Sequence, residues 1–133
     1  MTKAPHFAAA MTREGLFPEA DDDGDLRVKF EGGPYVVFPD ADDEPYVRIL
    51  FPSFWSIDSD EERVRAFRAA SVASRRCKGA KVWVREDEQN VCASMEAFLP
   101  GPEFFEYVFP RMMSALQYAA RQFREEMLET TGD

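Results

Sequence analysis

Along this chain the spacing of apolar residues changes several times, and each change marks an element. Phe7, Ala10 and Met11 recur at helical intervals, Pro5 suits a first turn and Gly15 a stop, which predicts a short helix over residues 4–14. From Asp25 the period becomes two: Leu26, Val28 and Phe30 alternate with Arg27, Lys29 and Glu31, as in a strand that buries one face. Gly32-Gly33-Pro34 makes a tight connection. Tyr35–Phe38 and Tyr46–Phe51 are rich in aromatic and β-branched residues and are separated by the acidic turn Pro39–Pro45, so three successive strands form an antiparallel meander.

Ser59-Asp60-Glu61-Glu62 has the form of a capping box, in which the Ser hydroxyl and the Glu carboxylate accept from backbone N–H groups that lack helical partners. It predicts a second helix over 60–78 with Val64, Phe67, Ala70, Ser71, Ser74 and Cys77 facing the core. Arg63, Arg65, Arg68, Arg75 and Arg76 give this helix its cationic character, and Gly79 ends it. Lys81–Glu86 and Val91–Phe98 read as a hairpin around Asp87–Asn90. Val82, Val84, Val91, Ala93 and Met95 point to the helices, leaving Lys81, Trp83, Arg85, Cys92, Ser94 and Glu96 on the other face.

After Pro100-Gly101-Pro102 the stripe Phe105, Val108, Phe109, Met112, Leu116, Ala119, Phe123 and Met127 keeps helical spacing for about seven turns, the strongest periodic signal present. Pro110 interrupts it and predicts a kink or a helix that starts afresh there, and residues 130–133 are expected to fray. The order α-βββ-α-ββ-α corresponds to an α+β two-layer sandwich: an antiparallel sheet of about five strands with helices on one face.

Composition narrows the options. With 45% apolar residues and 12 Phe, 133 residues suffice for one core and one domain. A net charge of −9 argues against a phosphate backbone or an anionic membrane as partner. Residues 1–62 carry 15 acids and five bases, whereas residues 63–133 carry 10 and 11. The excess acid lies in two clusters, Asp21-Asp22-Asp23 with Asp25 and Asp40 with Asp42-Asp43-Glu44, which read as solvated turns. Cys77 and Cys92 have neither metal-ligand nor redox-pair spacing and are expected to be free thiols. The apolar stretch Phe7–Met11 is too short for a signal peptide and no run approaches a membrane span, so a cytoplasmic location is expected.

Candidate chemistry is sparse. The only imidazole, His6, sits in the terminal helix, away from either thiol in sequence, and no general base for a Ser or Cys nucleophile is evident. Glu19 to Gly24 imitates the start of a calcium loop, but the position that needs a bidentate Glu is Phe30. Gly32-Gly33 fits no phosphate-loop spacing. No cofactor, metal or small-molecule substrate is therefore expected. Glu96, alternating out of a strand near Lys81 and Arg85, suggests a cross-strand ion pair, and Arg76 and Lys78 beside Cys77 favour its thiolate.

Glu14-Gly15-Leu16, Gly24-Asp25-Leu26 through Phe30, Asp60-Glu61 through Arg76, and Lys78-Gly79-Ala80-Lys81-Val82 together resemble the YbjN-type family of small bacterial proteins. The resemblance covers nearly the whole chain as an order of elements and turn motifs. It implies a fold similar to that of class I type III secretion chaperones, and a non-enzymatic, dimeric regulator or chaperone-like binder of extended protein segments. It transfers no site residue.

Aromatic content gives this expectation its candidate contacts. Phe51-Pro52-Ser53-Phe54-Trp55-Ser56-Ile57 reads as a strand-to-helix connection whose Phe54 and Trp55 either plug the end of the core or anchor a partner, while Tyr46 and Trp83 lie on the helix-free sheet face. The last helix is long enough to present Met112, Met113 or Tyr118 to a second subunit. The expected function is non-catalytic protein binding, as a homodimer, through Tyr46, Phe54, Trp55 and Trp83. The alternative is a small hydrolase or thiol enzyme built around Cys77 or Glu96.

Overall fold

The computed structural model describes residues 3–131, with side chains through residue 129. Helix α1 (Lys3–Arg13) precedes strands β1 (Glu19–Ala20), β2 (Leu26–Phe30), β3 (Gly33–Phe38) and β4 (Tyr46–Ser56). Helix α2 (Asp60–Arg76), strands β5 (Ala80–Val84) and β6 (Asn90–Phe98), a 3-10 turn at Pro102–Phe104 and helix α3 (Phe105–Thr131) complete the chain. Six antiparallel strands in the order β1-β2-β3-β4-β6-β5 form one sheet, and the helices cover one face of it, giving the two-layer α+β sandwich. The strand beyond the expected five is β1, whose two residues pair with Arg27 and Leu26 and are too few to carry any periodicity. The frayed end expected at 130–133 falls partly outside the described residues; α3 itself continues through Thr131.

Pairing register aligns the apolar rows. Leu26–Val37–Ile49–Met95–Ala80 cross the helix-facing side as one row, and Val28 with Tyr35 and Phe51 with Ala93 and Val82 continue it in the next. Onto these rows α3 presses Phe109, Met112, Met113, Leu116, Ala119, Ala120, Phe123 and Met127, all buried. Met112 and Met113 are thus core residues, not surface for a second subunit. Aromatic rings gather at both ends of α3: Phe7 stacks on Phe105 at 4.1 Å, while Phe54 and Trp55 meet the edge of Phe123 at 5.5 and 5.4 Å. Pro110 neither stops nor restarts α3. It lies in the second turn, where only the Glu106 carbonyl loses its helical donor.

The start of α2 follows the expected cap with one shift. Ser59 Oγ accepts from the Glu62 N–H at 3.1 Å, but Glu62 reaches back to the N–H of Asp58 at 3.0 Å and also accepts from the Trp55 indole at 2.8 Å. The buried face differs from expectation. Ala66, Ala69, Ala70 and Ala73 are buried, Ser74 and Cys77 half-buried, whereas Val64 is 71% and Phe67 50% exposed and Ser71 also faces solvent. The reason is space: α2 lies against both α3 and β5, and only small side chains allow that approach. Ser74 completes the seam, its Oγ accepting from the Val82 N–H at 2.9 Å. Ala69→Leu is accordingly expected to cost about 1–3 kcal/mol through overpacking, and Phe67→Gln no more than about 0.5 kcal/mol, in urea unfolding curves. The reverse ranking would restore the Val64–Phe67 face as the core.

One buried cation ties the first helix to the sheet. Lys3 is 3% exposed, and its Nζ donates to the carbonyls of Asp43 at 2.6 Å and Tyr46 at 2.8 Å. Gly79 turns the chain from α2 into β5 at φ +77, a left-handed conformation, and a Cβ there would meet Met95 Cε at 2.8 Å. Among the described residues no helix is long and apolar enough to cross a membrane.

Candidate functional site: the helix-free face of the sheet

Alternation sends Arg27, Val36, Leu50, Ser94 and Lys81 to the face opposite the helices, in register across five strands. Further along the same face Phe38, Arg48 and Glu96 form a second row, and Tyr46 faces Phe98. Trp83 faces Cys92. Of the four expected contact residues, the fold therefore places Tyr46 and Trp83 on one surface.

Phe54 and Trp55 lie elsewhere. The segment expected as a strand-to-helix connection is strand: β4 runs to Ser56, with Pro52, Ser53 and Phe54 bulging opposite the single residue Cys92. Ser53 adopts a left-handed φ of 47 in this bulge. In an unbroken strand Phe54 would point away from Phe51; the bulge instead stacks the two rings at 5.3 Å and turns Phe54 and Trp55 onto Phe123 beneath the helices. Both remain half-buried, and the Trp55 indole is committed to Glu62.

Toward the Tyr46–Phe98 end of the helix-free face is a polar cluster. The Tyr46 hydroxyl donates to Glu96 Oε2, and Lys81 Nζ donates to Glu96 Oε1 at 2.9 Å, the cross-strand ion pair expected for Glu96. Hydrogen bonds from Tyr46 and then Lys81 hold the Glu96 carboxyl below the usual range. Burial, followed by the hydrogen bond to Glu96, pushes the Tyr46 phenol up to about 12. Around this cluster are apolar surfaces: the Phe98 ring, 74% exposed, lies 5.7 Å from Tyr46, and Arg48 stands over Phe38 at 5.2 Å. The Trp83 indole donates to Ser94 Oγ at 2.9 Å, and Ser94 and Cys92, although on this face, are fully buried. At the other end a groove of about 690 Å³ is lined by Phe17, Pro18, Arg27, Lys29, Val36 and Pro52.

The remaining candidates have unremarkable surroundings. Cys77 is half-buried at the end of α2, and burial pushes its thiol up, away from the thiolate that a nucleophile requires. His6 is exposed on α1. In the acidic turn Asp21 Oδ1 accepts from the N–H groups of Asp23 at 2.9 Å and Asp25 at 3.0 Å, while Arg27 stands 3.5 Å from Asp21 Oδ2. Carboxylate oxygens of Asp21, Asp23 and Asp25 lie within 4.8 Å of one another, and burial with the charges of Asp21 and Asp23 raises the Asp25 carboxyl above its ordinary range. Phe30, where a calcium loop needs its bidentate Glu, is the last residue of β2.

Phe98 was legible as the next outward position after Glu96, and Phe38 and Arg48 as outward positions of their strands. Their meeting depends on register between strands distant in sequence.

No family model and no curated protein matches the chain. In fold it is similar to the crystal structure of an uncharacterised protein from Methanothermobacter thermautotrophicus, with 14% identity over 96% of this chain and 95% of that one and a TM-score of 0.57. This likeness concerns the arrangement of helices and strands alone.

Proposed function

We propose that the chain is a non-catalytic protein-binding module that uses the helix-free face of its sheet to hold an extended segment of a partner, and that it works as a homodimer. The observation that carries this reading is the Phe98 ring, 74% exposed beside Tyr46 on a sheet face that no helix among the described residues covers. Large exposed aromatics dominate the binding energy of a contact, and the groove at Phe17 and Val36 extends the surface along the sheet. The resemblance to the YbjN-type family, proposed from turn motifs and element order, points the same way. The alternative, an enzyme at Cys77 or Glu96, is less well supported physically: a thiol pushed up is a poorer nucleophile, and a carboxyl held ionised is a poor general acid.

With two Trp in the chain, Trp55→Phe leaves Trp83 as a reporter on this face. On raising the concentration from nanomolar to high micromolar, its emission is expected to move to the blue as sedimentation shows the shift from monomer to dimer. Phe98→Glu should weaken that association about tenfold or more. A strict monomer over the whole range would sink the dimer. An associated form whose Trp83 emission and affinity ignore Phe98→Glu would move the contact off this face.

A further inference from the structure

The helical side of the molecule holds a concentration of positive charge that is unexpected in a chain of net charge −9. Arg111, Ser114, Tyr118 and Arg121 follow one another along α3 at steps of three, four and three residues and so share one face of the helix. Arg76, at the end of α2, and Lys78, in the turn to β5, stand beside them. Together with Gln117 and Ala115 these residues line a groove of about 540 Å³ whose lining has four cations and no acid.

Some cations elsewhere in the chain are paired with acids. Arg13 pairs with Glu106, Arg27 with Asp21, Arg63 with Asp60 and Lys81 with Glu96. In the groove only Arg76 has partners, Gln122 at 3.3 Å and Glu126 at 3.5 Å. Lys78, Arg111 and Arg121 have neither ion pair nor hydrogen bond among the described residues. Cations are favoured at the end of a helix by its dipole, which accounts for Arg76 and Lys78 but not for Arg111 and Arg121 in the interior of α3. Leaving them together costs mutual repulsion, which a bound anion would relieve.

We propose that this groove binds a small, multiply charged phosphate-bearing anion. Guanidinium groups converging from two helices match phosphate oxygens in bidentate fashion, Lys78 adds a mobile point charge, and the hydroxyls of Ser114 and Tyr118 add donors. Size suits a small molecule, since the groove falls in the range of small-ligand pockets. Charge suits it too. A long polyanion would run out of the groove into the field of a chain with 25 acids and 16 bases, whereas a compact anion keeps its charge among the four cations. Tyr118, 41% exposed in the middle of the groove, offers a ring on which a base attached to the phosphates can stack. The proposal does not depend on the sheet-face reading, because the two surfaces lie on opposite layers.

Isothermal titration calorimetry of the full chain with pyrophosphate and with ATP, at matched ionic strength, tests it. Saturable binding of pyrophosphate is expected, tighter for ATP if Tyr118 stacks on the base. Arg111→Gln and Arg121→Gln should each weaken pyrophosphate about tenfold, and since both side chains are exposed, circular dichroism and unfolding curves should stay unchanged. Lack of binding at millimolar pyrophosphate would overturn the site, as would binding that both variants leave intact. Citrate bound as tightly as pyrophosphate would overturn the preference for phosphate, and a single-stranded oligonucleotide bound more tightly through the same arginines would replace the small anion with a polymer.

Discussion

Phe123→Ala is expected to lower the stability of the protein by about 4 kcal/mol, within the range for large aromatic truncations in a core. Phe123 is fully buried and packs in T-shaped contacts with both Phe54 and Trp55, so its removal opens a cavity under two aromatic side chains at once. Domains of this kind are stable by about 5–15 kcal/mol, so the change consumes a large share of the total. Urea unfolding followed by fluorescence measures it directly. In the native state Trp55 emission should also move to the red, because water reaches an indole that now packs against Phe123. A control at Tyr107, whose ring is 85% exposed, should cost less than about 0.5 kcal/mol as alanine. A loss below about 1 kcal/mol at Phe123 would mean that the bulge does not deliver Phe54 and Trp55 to this ring.

Lys3→Met is expected to cost about 2–3 kcal/mol, a large effect for a residue so near the start of the chain. Methionine keeps the apolar stem, so the loss isolates the ammonium group of this buried residue, which donates to the carbonyls of Asp43 and Tyr46. Charged hydrogen bonds are worth more than neutral ones, and without the donor both carbonyls must recruit water in a closed space. The turn that holds Lys3 also begins β4: the Tyr46 N–H donates to the Asp43 carbonyl at 3.0 Å, and the Leu99 N–H to the Pro45 carbonyl at 2.6 Å. Amide exchange at Tyr46 and Leu99 should therefore accelerate in the variant, while exchange in β5 keeps its protection. Unchanged exchange with a cost below about 0.5 kcal/mol would show that the ammonium is solvated and does not fasten α1 to the sheet.

The same two sites illustrate what could be read from the chain. Lys3 offers no signal in sequence, because nothing in a lone lysine before Pro5 tells that its amine will meet a turn 40 residues on. Phe54 and Trp55 were visible as an excess of aromatics, but their direction depends on two extra residues in β4 opposite Cys92, which no periodicity contains. On α2 the stripes Val64–Phe67–Ser71 and Ala66–Ala69–Ala70–Ala73 are both helical in spacing, and hydrophobicity favours the first. Packing chose the second since α2 must fit between α3 and β5. In the groove, Arg111, Ser114, Tyr118 and Arg121 were a readable helical face, but Arg76 and Lys78 join it only through the crossing of two helices.

The sequence by itself determined the order of the elements apart from β1, the outward face of the β5–β6 hairpin, the cap of α2 and the stripe of α3. These are local properties: alternation of two, periods of 3.6, and side chains that satisfy the first N–H groups of a helix. Tertiary structure alone decided which stripe of α2 is buried, that Met112 and Met113 belong to the core, that Phe54 and Trp55 point under the helices, and that the Tyr46 hydroxyl joins the Glu96–Lys81 pair on the open face of the sheet. Each of these depends on contacts between residues far apart in the chain, where the winning arrangement is the one that fills space and pairs charge across elements, and neither quantity is written in any single window of sequence.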